Sequence, residues 1–538
     1  MNRERTRRNR GVPDVLELMH HIQSRLPVKD AARTSILSKY WRHAWSTIPN
    51  LRFHVHKEQE RGHMKLVDID HTLTRYLHSN IQIERFELKI VIKNQESASL
   101  VEKWIRSVAT KSSLKEISLT IRLNGASLHL PDEIFSGENL TKISVSARWL
   151  GIHKVWMTTA HNPKCGSLRE LYLYCVRINE EVLHDIFSSC RLLVKIQLLR
   201  CSQGLNTIKV KNLHFLQHLE IITDETDNTA LEINHVPNLQ MLICKATIAR
   251  EPTTPFNTHS IALGSNMTEL ILGRGVIKDN ASLEMIIKSG LPFLKSFSLN
   301  MACWTLGSFH FTCASIEKFH LHDCPPSLVD VVHVKAPKLF YFFFSGYAMP
   351  SLLFPNSTLE QIKLWQLGLR IGELDASYFL KLRKALTLSN NNYVHIKVNF
   401  NNDVPLHIDI DDLRTRLEFP PALNVQKLCF QTSGDECLWE NSQFFDAFFE
   451  ICHPERIAAW PDFLLKHNNH FCKLMLREVL KKKNNTKTKT SYWPRYLKNV
   501  QLERPHILRW ENLASSHSDF LDGGAPERSP VEFQLKWR

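Results

Sequence analysis

The chain has 538 residues, of which 43% are hydrophobic and 23% charged, and carries a formal net charge of +14. That balance is globular and excludes a disordered chain, and the length allows about three or four ordinary domains or one repeat array. The most apolar run, 339–354, is interrupted and too short for a bilayer, and the five arginines of 1–10 precede no apolar signal core, so neither membrane nor secretion is expected.

Residues 1–11 are basic and read as a flexible N-terminus. From 12 to 51 the pattern changes to short helices. Val15, Leu18, Ile22 and Leu26 lie along one helical stripe, and Pro27 ends it because the residue before a proline is pushed out of the helical region. Asp30 can cap a second helix and Ser38 a third, whose apolar face runs through Leu37, Trp41, Trp45 and Ile48 to Pro49. A unit this small buries little core alone, so its stripes need a neighbour or a partner.

The strings PDVL at 13–16, HIQSRLPVKDA at 21–31 and RTSILSKYWR at 33–42, followed by Trp45, Ile48, Pro49 and Leu51, resemble the F-box of plant F-box proteins. The resemblance implies docking onto a Skp-type adaptor and, through it, onto a cullin–RING ubiquitin ligase. The expected interface or supporting core is Pro13, Val15, Leu18, Ile22, Leu26, Pro27, Leu37, Trp41 and Trp45. The segment 13–27 is longer than the family's usual spacing, and Gln23 and Arg25 stand where apolar residues are usual.

From Ile83 onward an apolar pattern, φ-x-x-φ-x-φ, recurs: Ile83/Phe86/Leu88, Leu114/Ile117/Leu119, Leu140/Ile143/Val145, and so on to Leu359/Ile362/Leu364. Its mean period of about 25 residues lies in the leucine-rich-repeat range. The last two apolar positions alternate as a short strand requires. Between strands, Leu100, Val101, Trp104, Ile105 and Val108 form a helical stripe, as do Val182, Leu183, Ile186 and Phe187. The uneven spacing resembles the degenerate repeats of plant F-box proteins. A doubly wound α/β enzyme also alternates strands and helices, but no strand–turn–helix here carries G-x-G-x-x-G or a phosphate-loop motif. The twelve cysteines include no Cys-x-x-Cys and are expected reduced and buried; Cys201 and Cys324 fall in the turn after a repeat strand.

Less regular strands follow at Tyr393/Ile396/Val398 and Val425/Leu428/Phe430. Beyond 440, FFDAFFEICHPERIAAW and FCKLMLREVL read as helices, with Phe444, Phe445, Phe448 and Phe449 as a core stripe. The pieces at 452–454 (CHP) and 492–503 (YWPRYLKNVQLE) resemble the C-terminal FBD-like region of plant F-box/leucine-rich-repeat proteins. The basic run KKKNNTKTKT reads as an exposed loop, and the chain after 510 as a flexible tail.

No H-E-x-x-H or G-x-S-x-G is present, and Cys452, His453, His467, His470 and Cys472 match no zinc framework. No catalytic residue, metal or cofactor is therefore expected. The basic excess sits partly in 3–10 and 481–489, without an aromatic-interleaved RNA motif, so nucleic acid is not an expected partner.

The expected architecture is α/β. A helical F-box at 12–51 precedes an irregular leucine-rich-repeat solenoid at 83–440, an FBD-like helical and strand cap at 441–510, and a tail at 511–538. The function implied is that of a non-catalytic substrate-recognition subunit of an SCF-type ubiquitin ligase, in the nucleus or cytoplasm, with an unidentified protein target. The alternatives are a repeat scaffold with a divergent F-box and a nucleic-acid-associated basic protein.

Overall fold

A computed structural model describes residues 12–26, 28–55, 66–149, 154–157, 163–201, 205, 207–223, 230–246, 257–274, 276–277, 279–287, 291–304, 307–324, 329–347, 349–371, 375–389, 392–400, 408–432, 442–459, 497–503, 510–512 and 531–538. The chain divides into two compact units, Met1–Met267 and Thr268–Arg538.

The first unit opens with three packed helices, α1 (Val12–Arg25), α2 (Val28–Thr34) and α3 (Lys39–Ser46). Pro13 lies in the first turn of α1, where its missing N–H costs no helical bond. Ser38 caps α3, its side chain accepting from the Trp41 N–H at 3.2 Å. Asp30, expected as the cap of the second helix, lies instead inside the first turn of α2 and pairs with Arg33 at 3.0 Å. Its charge there still suits the positive end of the helix dipole.

Strand β1 (Asn50–His54) follows at once. It pairs in parallel with β2 (Arg85–Ile92), aligning Leu51 with Phe86 and Phe53 with Leu88. The strand ladder thus begins at Asn50, one strand before the repeat start expected at 83. Between these strands runs α4 (Leu66–His78), which buries Ile69, Leu73 and Tyr76. The Tyr76 hydroxyl donates to the Ile48 carbonyl at 3.1 Å, and burial pushes its pKa up to about 12. After β2 comes α5 (Gln95–Ala109), capped by Asn94 and burying Val101, Trp104, Ile105 and Val108. The Trp104 indole donates to Asp70 on α4 at 2.8 Å.

The ladder continues in parallel through β3 (Glu116–Leu123) and the strands Lys142–Trp149, Glu170–Tyr174, Lys195–Leu199, His218–Thr223 and Met241–Ala246. Register explains the sequence pattern. Phe86, Ile117, Ile143, Leu171, Ile196, Leu219 and Leu242 stack as one buried column, and Leu88, Leu119, Val145, Leu173, Leu198, Ile221 and Cys244 as a second. The chain turns corners by single left-handed residues after strands: Cys175, Arg200, Asn212 and His235, with φ of 55, 56, 59 and 56°. Each costs about 1–2 kcal/mol for a residue with a Cβ. Beyond the corners run two three-stranded sheets, Leu128–His129 with Val155–Met157 and Val176–Ile178, and Thr207–Lys211 with Ala230–Asn234 and Asn257–Ile261. Gly125, with φ of +144°, has no alternative: a Cβ there would stand 2.2 Å from the Lys93 carbonyl oxygen.

The second unit has the same grammar. Parallel strands at Glu269–Leu272, Ser296–Asn300, Lys318–Cys324, Tyr341–Gly346, Leu364–Ile371, Tyr393–Phe400, Val425–Thr432 and Arg456–Ala459 form its ladder. Its inner column is aromatic: Phe297, Phe319, Phe342 and Trp365 follow one another with centroid separations of 5.6, 6.2 and 5.3 Å. Helices Ala376–Leu388 and Ser442–Ile451 pack together through Phe379 and Phe448, 5.1 Å apart. Phe445 and Phe449 are also buried, whereas the side chain of Phe444 lies outside the described residues.

Three expectations for the C-terminal region need correction or placement. The helix read across FFDAFFEICHPERIAAW stops at Ile451, before the Pro454 break, and Arg456–Ala459 is a strand. FCKLMLREVL and KKKNNTKTKT lie outside the described residues. The tail is not wholly loose: Val531–Trp537 is a strand, antiparallel to Arg456–Ala459 and to Leu497–Glu503. Val531, Phe533, Leu535 and Trp537 alternate with period 2, as a strand with one apolar face requires. Glu532 binds Lys427 at 2.8 Å, and the Trp537 indole donates to Pro454 O at 2.8 Å while stacking on His453.

The outward sides of the two ladders differ. In the first unit they carry ion pairs across strands, Arg85–Glu116 at 3.1 Å and Lys142–Glu170 at 2.6 Å. In the second, His320, His322, Tyr341 and Phe343 meet ring to ring, at 5.1 Å for His320–Tyr341 and 4.8 Å for His322–Phe343. Burial first, then His322 and Lys318, lower the His320 pKa to about 4.

Two predictions follow from this packing. Deleting 531–538 removes the buried Phe533 and Leu535, each worth about 1.5–3 kcal/mol, and bares the Arg456–Ala459 edge. Hydrogen exchange should then lose protection at Arg456–Ala459 and leave Arg85–Ile92 unchanged; unchanged protection at 456–459 would refute the pairing. The second concerns acid. Because His320 titrates lower in the folded than in the unfolded chain, folding stability is unaffected above the unfolded pKa of 6.5 and falls as pH drops toward about 4. His320→Gln should flatten that part of the Tm–pH curve.

Candidate functional site

The helices α1–α3 place apolar side chains on the outside. Val15, Leu18 and Ile22 on α1 are 50%, 58% and 39% exposed; Ile36 and Leu37 between α2 and α3 are 79% and 67% exposed, and Tyr40 on α3 is 73% exposed. Six of the sixteen exposed large hydrophobics among the described residues thus fall within 15–40. Scattered exposed apolar residues are ordinary; such a concentration in one small segment is not, and makes it the candidate surface.

The inward side is built from smaller and polar groups. Ala31, Ala44 and Ile48 are buried, and so is Gln23, at 1% exposure. The Gln23 amide Nε2 donates to Thr34 Oγ1 at 2.7 Å and to the Trp41 carbonyl at 3.2 Å, so one side chain ties α1 to α2 and α3. The departure noted at Gln23 therefore occupies a structural position, whereas Arg25 is exposed. His20 joins α1 to the end of α3 through Thr47 at 3.1 Å, and its burial lowers the imidazole pKa.

The expected interface residues divide accordingly. Val15, Leu18, Ile22 and Leu37 point outward. Leu26, Trp41 and Trp45 are half-buried, and Leu26 and Trp45 line a pocket shared with β1 and α4. The Pro13 side chain and the whole of Pro27 lie outside the described residues. Ile36 and Tyr40 were missed by the sequence reading. They sit in the SILSKY turn and the first turn of α3, where no helical period marks an apolar residue as outward.

Elsewhere most of the described cysteines are engaged in packing. The ten described cysteines are all free thiols, eight of them buried. Cys201 donates to the Leu173 and Leu199 carbonyls at 3.3 and 3.4 Å, closing the turn between neighbouring strands, and Cys324 lies against Met301. Burial pushes the Cys452 thiol up to about 12, and it donates to Phe448 O. His467, His470 and Cys472 lie outside the described residues, and among the described residues no group of His, Cys, Asp and Glu gathers as a metal site.

Comparison with known proteins meets this geometry in two places. Residues 15–53 match the F-box domain model. Residues 101–262 match the model described as "FBD-associated F-box protein At5g56370, LRR repeats". Neither model describes a catalytic domain. Similar Arabidopsis thaliana proteins include F-box protein At5g03100, 25% identical over 43% of this chain and 68% of that protein. Putative F-box/LRR-repeat protein At3g18150 is 29% identical over 39% of this chain, and F-box/LRR-repeat protein At5g02910 is 28% identical over 39%. The alignments span only 41% and 42% of these last two proteins. A helical segment whose apolar residues face outward is thus joined directly to a ladder of leucine-rich strands, in a chain that is similar over these two segments to plant F-box/LRR-repeat proteins.

Proposed function

We propose that this chain is the substrate-recognition subunit of an SCF-type ubiquitin ligase. In this reading α1–α3 dock a Skp-type adaptor, which joins the chain to a cullin–RING ligase inside the cell, in nucleus or cytoplasm. The strands from Leu51 onward stack as a leucine-rich solenoid, capped at its C-terminal end by the antiparallel strands, and their outward side holds a target protein. The observation that carries the reading is the outward set Val15, Leu18, Ile22, Ile36, Leu37 and Tyr40 within the segment matching the F-box. Nothing in the chain needs to perform chemistry. Fixing a target beside a partner enzyme raises the effective concentration of its lysines, and that proximity is the catalytic contribution.

The outward residues and the pocket-lining ones give a sharper mutational test than the stripe as a whole. Leu18→Ala with Ile22→Ala removes two exposed side chains that the folded chain does not use for its own core. At about 1.5–3 kcal/mol each on full burial, the double variant should weaken binding of a plant Skp-type adaptor by at least about a hundredfold. Its thermal unfolding should be unchanged. Titration of full-length protein with the adaptor measures this. A wild-type chain that folds but shows no saturable adaptor binding would leave the repeat-scaffold reading in its place.

A further inference from the structure

The outward side of the first unit's ladder carries two rows of different character. At the N-terminal ends of the strands, Arg85, Glu116, Lys142, Glu170 and Lys195 stand in register and alternate in sign, with Arg85 paired to Glu116 and Lys142 to Glu170. Toward the C-terminal ends the alternation fails. Arg122 and Arg148 stand directly opposite each other on adjacent strands, both exposed, and neither makes an ion pair or hydrogen bond with a described residue. Like charges set opposite each other in a sheet repel. Glu87, in register with Ser118, does not relieve them, because Lys89 holds it at 2.7 Å and His54 at 3.2 Å.

Between the two rows the outward positions are Ser118 and Thr120 on β3, and Ser144 and Ser146 on the strand Lys142–Trp149. All four are half-buried and short, and their hydroxyls bond to no described residue, so an extended backbone can lie close over them. We propose that this patch holds an acidic, extended segment of a partner protein, whose carboxylates supply the alternate charges that Arg122 and Arg148 lack. A carboxylate is the group this same face sets against its own cations, at 3.1 Å for Arg85–Glu116 and 2.6 Å for Lys142–Glu170. It also matches the fork of a guanidinium, while the hydroxyls serve the segment's backbone. The inference deepens the reading of the outward side as target-holding, and rests on it for the identity of the segment as part of a target.

The test titrates full-length protein, without adaptor, into a fluorescein-labelled peptide of alternating Glu and Thr, read by fluorescence polarisation. The Glu peptide should bind saturably, and the same peptide with Gln for Glu at least about tenfold more weakly. Arg122→Gln with Arg148→Gln should weaken the Glu peptide at least about fivefold. Ser146→Glu, which sets a carboxylate beside Arg148 from within, should do the same. Lys335→Gln with Lys338→Gln, exposed in the second unit, should leave binding unchanged. All these positions lie outside the buried columns, and circular dichroism checks the fold. Three results would overturn the proposal: no saturable binding of the Glu peptide, an equal loss in the lysine variant, or tighter binding of the Gln peptide carrying one phosphothreonine. The second would mark general attraction to a chain of net charge +14, and the third a phosphate site. Failure here with adaptor binding intact overturns the acidic-segment proposal alone, whereas peptide binding without adaptor binding overturns the ligase reading alone.

Discussion

A parallel strand ladder cannot be closed by hairpins, and this constraint shapes almost everything else in the chain. Each strand must be followed by a crossing segment that returns the backbone to the same end of the sheet. The crossing also has to cover the inner face, because the Phe86 and Leu88 columns are apolar along their whole length. Long crossings do this with helices such as α5; shorter ones use the minor strands of the three-stranded sheets. The left-handed corners at Cys175, Arg200, Asn212 and His235 let a short crossing start without a glycine. Their backbone cost is offset by columns in which each side chain is covered by the repeats on either side.

Such a ladder leaves its end strands exposed, and exposed strand edges invite unwanted pairing. In the first unit the first strand, β1, is flanked by helices rather than left bare: Tyr76 of α4 reaches the Ile48 carbonyl just before the strand, and Arg75 reaches Ser46. In the second unit the last parallel strand, Arg456–Ala459, is covered by an antiparallel strand from the chain's end. The change from parallel to antiparallel is what stops the repeat. Glu532 on that covering strand holds Lys427 on the previous one, so the cover is tied across two strands of the ladder.

Much of this was legible in the sequence because repetition amplifies a weak signal. No single φ-x-x-φ-x-φ is decisive, yet its return from Ile83 to Leu364 defines the columns later seen in register. The ends were less legible because there the repetition stops. Leu51 and Phe53 have the spacing of the last two repeat positions, but Leu51 follows the Trp45–Pro49 pattern directly and was read as its close. The strand at Val531–Trp537 has clear alternation, yet it follows GGAPERSP and pairs with strands at 456–459 and 497–503 rather than with a sequence neighbour. The helices of 12–46 were legible in outline. The stripe of Val15, Leu18 and Ile22 was visible from its period, whereas its outward direction depends on which residues fill the inside.

That direction is set by Gln23. In an ordinary amphipathic helix the apolar stripe turns inward and the polar residues outward. In α1 the arrangement is partly inverted, for a buried glutamine spends its hydrogen bonds on Thr34 and Trp41 while Leu18 and Ile22 remain outside. Two directional bonds fix how the three helices lie on one another without drawing the larger apolar side chains into the core. The helices can therefore stay assembled with an apolar surface uncovered, because their own packing does not rely on burying it. Were a partner to cover Leu18 and Ile22, as proposed, their burial would be opposed by little rearrangement of the helices.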